Sequence, residues 1–141
     1  MQVPERIPGL KAATILLGLY AAVWISLEGA LSQVVVMGAA VTAVAAGHLL
    51  QKYLGGRRLP VGRWLAVTAA VGLSIGLGCG VLTLVFMAVK TGLHAHGPEF
   101  TPAEIAWVLH QIPLWTLAGL LAGLGLGFLS AAASESINSE Q

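Results

Sequence analysis

From Trp64 to Val89 the chain runs for 26 residues without a charged side chain. As a helix this run would extend about 39 Å, more than the roughly 30 Å of a bilayer's hydrocarbon layer. A small soluble domain has too little interior to bury such a segment on every side. The run therefore reads as a membrane-spanning helix that tilts or protrudes. Three further apolar stretches are of similar kind, and the expected spans are residues 10–28, 32–50, 64–89 and 105–133. Unbroken runs favour helices, because a membrane barrel shows alternating segments of about ten residues. The expected fold is all-α: one transmembrane domain over residues 1–141, an integral membrane four-helix bundle. A short amphipathic segment is expected ahead of a fourth helix kinked near Pro113.

Composition points the same way, with 57% hydrophobic and 9% charged residues and a mean hydropathy of +0.85, outside the soluble globular range. The net charge of +1 gives no field that would recruit nucleic acid. The expected partners are the lipid bilayer and either further copies of the chain or a larger membrane complex. Arg6 and Lys11 ahead of an apolar run resemble the start of a secretory signal. The run is long, however, and Glu28-Gly29-Ala30 makes a poor cleavage site, so it is read as a span. The lone Cys79 lies inside an apolar stretch and reads as a small filler of a helix face.

The few charges set an expected orientation. Arg6 and Lys11 precede the first span, and Lys52, Arg57, Arg58 and Arg63 fill the second connection, against Lys90 alone in the other two. Basic segments stay on the cytoplasmic side. A multi-pass protein of the cell membrane with both termini cytoplasmic is expected, with Glu28 and the segment from Lys90 to Glu104 on the outer face. The basic connection is also a candidate for anionic lipid headgroups through Lys52, Arg57, Arg58 and Arg63, at about 1 kcal/mol per basic residue near the surface. Trp24, Trp64, Trp107 and Trp115 fall near span ends, as interfacial anchors do.

Glycine spacing is the most specific pattern. Gly72, Gly76, Gly78 and Gly80 repeat the spacing of Gly119, Gly123, Gly125 and Gly127. In each series three glycines share a face at i, i+4 and i+8: Gly72, Gly76 and Gly80, and Gly119, Gly123 and Gly127. Missing side chains let another backbone approach closely, so these six are the expected helix-packing residues of a glycine zipper, against each other or a partner. Ala39, Ala43 and Gly47 form a weaker small face in the second helix.

The outer segment holds two further features. Thr101-Pro102-Ala103-Glu104 has the form of a capping box that opens a helix, with Pro at the first helical position. His94, His96, Glu99 and His110 are candidate ligands for a divalent metal, since imidazole and carboxylate suit zinc-like ions. His48 and His110 fall near opposite ends of their spans and could not share one haem iron across about 30 Å of hydrocarbon.

Enzyme signatures are missing from the sequence: it has no Asp for a Ser-His-Asp triad, no H-E-x-x-H, no phosphate loop and no cysteine pair. No ionisable side chain is expected at mid-membrane depth, where coupled transporters keep theirs; Glu28 and Lys90 come nearest, at span ends. The sequence thus reads as a non-catalytic subunit or scaffold, with an oligomeric channel or carrier for a small solute as one alternative. An outer-face metal-binding protein is another.

Overall fold

The computed structural model describes residues 1–26, 30–93 and 99–139. Among these the chain forms four α-helices: α1 over Leu10–Ile25, α2 over Leu31–Leu54, α3 over Val61–Leu93 and α4 over Pro102–Ser139. The fold is all-α, and α2, α3 and α4 are long and apolar enough to cross a membrane. α1 is apolar but has 16 residues. It rises about 24 Å, shorter than the expected span 10–28, whose last residues lie outside the described ones.

α2, α3 and α4 outrun the apolar stretches that announced them. α3 starts at Val61 rather than Trp64 and continues past Lys90, because backbone hydrogen bonding does not stop where the apolar run does. Local chemistry sets the ends instead. Gly55 N–H donates to Gln51 O at 3.1 Å, and Gly56 then turns left-handed at φ 76°, which ends α2. Pro60 accepts the first helical bond of α3, from Trp64 N–H at 3.0 Å.

At the start of α4, Thr101 N–H and the Thr101 hydroxyl both donate to Glu104 Oε2 at 2.8 Å, and Glu104 N–H returns a bond to Thr101 Oγ1 at 3.2 Å. Replacing Thr101 with Ala should cost about 1 kcal/mol of stability, while Thr101→Ser keeps most of it; denaturation in detergent, followed by circular dichroism, measures both. α4 runs unbroken through Pro113. The amphipathic stretch is therefore its opening turns rather than a separate element. Pro113 has no N–H, so the Leu109 carbonyl lacks its usual intrahelical donor.

α3 is the central element, packed most extensively on α4 and also on α2, while α1 lies against α2. Side-chain packing concentrates at one end, where Trp24, Val34, Met37, Met87, Phe100 and Val108 form a cluster. Trp24 and Phe86 meet edge to face at 6.0 Å there. The opposite end is tied by backbone. Gln2 bridges Arg58 antiparallel, Val3 N–H donates to Arg57 O at 3.0 Å, and Leu59 N–H donates to Met1 O at 2.8 Å. Trp64 Nε1 donates to Ser130 Oγ at 2.7 Å, which brings the C-terminal part of α4 to the same end. All six basic residues outside Lys90 thus lie toward one end of the molecule.

The outer surface is largely apolar. Leu16, Leu19, Leu114, Leu121, Phe128 and Leu129 are all exposed. Water would penalise such contiguous apolar area, whereas lipid tails do not, and contact with a bilayer follows.

Candidate functional site

The glycine series form a seam inside the chain. A Cβ added at Gly72 would meet Gly119 O and lie 2.9 Å from Gly123 Cα; one at Gly119 would meet Gly72 O, and one at Gly123 would meet Thr68 O. Toward the other end a Cβ at Gly76 would meet Trp115 O, and one at Gly80 the Ile112 side chain. Gly127 faces the Thr68 hydroxyl. From Thr68 to Gly80 the antiparallel contact extends about 18 Å along α3. Helix pairs in lipid associate through this kind of close backbone approach.

The two fourth members of the repeat differ. Gly78 faces α2, where a Cβ would come within 2.5 Å of Thr42 Cγ2, and Gly125 has nothing within 4 Å. α3 therefore presents glycine to both neighbours. On its α2 side Gly38 answers from across, with Cys79 O and Thr83 Oγ1 each 2.8 Å from a would-be Cβ. The hydroxyls in this layer bond to their own helices, Thr42 to Gly38 O and Thr83 to Cys79 O, each at 2.7 Å. They fill space and satisfy themselves.

A second constellation lies at the side-chain-packed end. Lys90 is 1% exposed. Its Nζ donates to Trp24 O at 3.1 Å, stands 4.5 Å above the Trp24 ring and lies 3.9 Å from Glu99 Oε2. Trp24 O belongs to the last turn of α1, whose carbonyls lack intrahelical donors and carry the negative end of the helix dipole. A buried ammonium is tolerable there because carbonyl, ring and carboxylate replace its water. The ion joins α1, α3 and the approach to α4. Sequence reasoning placed Lys90 at a span end. It took Trp24 for an interfacial anchor, yet Trp24 is 3% exposed and forms the wall against which Lys90 rests.

Of the candidate metal ligands, His94 and His96 lie outside the described residues, as does Glu28. Glu99 sits beside Lys90, and His110 is exposed on α4. Among the described residues no three His, Cys, Asp or Glu side chains gather closely enough to hold a metal ion. His48 Nε2 instead contacts Thr14 Oγ1 at 2.8 Å. Lys52, Arg57, Arg58 and Arg63 are exposed toward the basic end, but a cavity there is lined by Arg6, Lys11 and His48. No protein family, curated protein or solved structure matches this chain.

Proposed function

We propose that this protein is a non-catalytic membrane subunit or scaffold, assembling with its own copies or into a larger complex, with both termini in the cytoplasm. The observation that carries the reading is the two-sidedness of α4. One side is taken up by the glycine seam with α3. On the opposite side, at 100° per residue, Leu114, Leu117, Leu121, Gly125 and Phe128 form an uncovered stripe, and only 11% of the α4 span window is buried. A rigid pair with a free apolar stripe suits a helix that presents itself to neighbours. The orientation draws support from the basic bias and from the pairing of Val3 with Arg57 and Gly56. With α2 crossing, that pairing needs α1 to carry the chain across as well.

Extraction into native nanodiscs followed by mass measurement tests the proposal. A defined assembly larger than one chain is expected. Gly125→Trp, at a position with open space around it, should dissociate the assembly while leaving helix content unchanged. A lone monomer in the parent protein, or solute flux through liposomes carrying it, would refute the proposal.

A further inference from the structure

At the basic end the start of α1 and the end of α2 enclose a cavity of about 600 Å³, lined among others by Arg6, Lys11, Ala12, His48 and Gln51. Its lining includes none of Lys52, Arg57, Arg58 and Arg63 of the neighbouring basic connection. Leu10 forms the floor, packed against Gly47 so closely that a Cβ there would lie 3.0 Å from Leu10 Cδ1. The rim is pinned, because Gln51 Oε1 accepts the Ile7 N–H at 2.9 Å.

Three independent features give the cavity affinity for an anion. Among the described residues neither Arg6 nor Lys11 is ion-paired, and Glu5, the nearby carboxylate, packs against Gly56 instead. The N–H groups of Lys11 and Ala12 fall in the first turn of α1, where Gly9 supplies no side-chain cap and the backbone bonds run from Leu10 N–H to Ile7 O and from Ala13 N–H to Gly9 O; the two between remain available as donors. Finally, the Thr14 hydroxyl gives its proton to Leu10 O at 2.8 Å. The 2.8 Å contact with His48 is then a bond donated by His48 Nε2, which leaves Nδ1 as an acceptor in the neutral ring. Cationic side chains and free amides suit a phosphate, and a ring acceptor beside them suits a hydroxyl.

We infer that this cavity seats the headgroup of an anionic phospholipid, a phosphodiester bearing free hydroxyls, with Arg6, Lys11 and the α1 amides on the phosphate and His48 on a hydroxyl. The inference rests on the reading that this end lies at headgroup level. Ala12 on the cavity wall continues into the exposed apolar face of α1 formed by Ile15, Leu16 and Leu19, along which acyl chains can run.

Native mass spectrometry of the full chain from nanodiscs of phosphatidylglycerol and phosphatidylcholine is the test. Phosphatidylglycerol should be retained in preference. Lys11→Gln alone, at an exposed position, should weaken retention about fivefold and Arg6→Gln with Lys11→Gln about thirtyfold, while Arg57→Gln with Arg58→Gln leaves it nearly unchanged. Equal losses in both pairs would mean a diffuse field and would overturn the site, as would no preference between the lipids. Full displacement by inorganic phosphate at matched concentration would assign the cavity to the free ion and overturn the lipid. The same spectra report assembly mass, so loss of lipid preference and loss of the oligomer are read separately.

Discussion

Gly76→Leu should separate α3 from α4 and leave the protein without its native tertiary packing. A side chain at position 76 starts inside the space of the Trp115 carbonyl, with Thr116 Cα 2.9 Å from its Cβ. Backbone cannot rotate out of the way as a side-chain tip can, so the cost belongs at the upper end of overpacking, about 3 kcal/mol or more. Helix propensity acts in the opposite sense, since replacing a helical glycine gains up to about 1 kcal/mol, and overlap wins. Gly125→Ala is the control: nothing lies within 4 Å of that position, so propensity acts alone and stability should hold or rise. Unfolding in mixed micelles, followed by the fluorescence of Trp115 and the other tryptophans, distinguishes them. Equal stability of Gly76→Leu and the parent would refute the seam.

The second large effect concerns the buried ion. Glu99→Ala removes the carboxylate 3.9 Å from Lys90 Nζ and leaves the ammonium at a site 1% exposed. Breaking a buried pair from one side costs about 3 kcal/mol or more. Lys90→Met should be milder, because it removes the more deeply buried of the two charges: Lys90 is 1% exposed and Glu99 14%. Combining Lys90→Met with Glu99→Ala should recover most of the loss, because the buried charge itself disappears. Thermal unfolding of the three variants in one detergent checks the order. A Glu99→Ala protein at least as stable as Lys90→Met would show that the pair does not hold this end together.

The helical, lipid-facing character of the chain was legible because it depends on run length and the absence of charge, both local properties. The i, i+4, i+8 spacing likewise grouped Gly72, Gly76 and Gly80 on one face. Spacing is silent on which helix that face meets, and it treated Gly78 and Gly125 as equivalent although one abuts Thr42 and the other stands open. The end of α2 and the start of α3 were read from hydropathy and came out short, since Pro60 and Gly56, rather than the apolar boundary, determine where α3 starts and α2 stops. The Lys90 site was hidden for a different reason. Its hydrogen-bond acceptor is a backbone carbonyl 66 positions away, and no side-chain pattern encodes a carbonyl. The cavity at Arg6 and Lys11 was missed because those residues had already been accounted for as topology signals.

The glycine seam also restricts motion between its two partners. Turning α3 by one residue about its axis would drive Leu73, Leu77 or Val81 into the place of the glycines, against α4 backbone that cannot yield. Neither sliding nor rolling offers a graded path between arrangements, so the two longest helices behave as a single stiff body. Any functional change of shape must then be absorbed elsewhere, and α1, tied near one end by His48 and near the other by Lys90, is the helix with the least packing to give up.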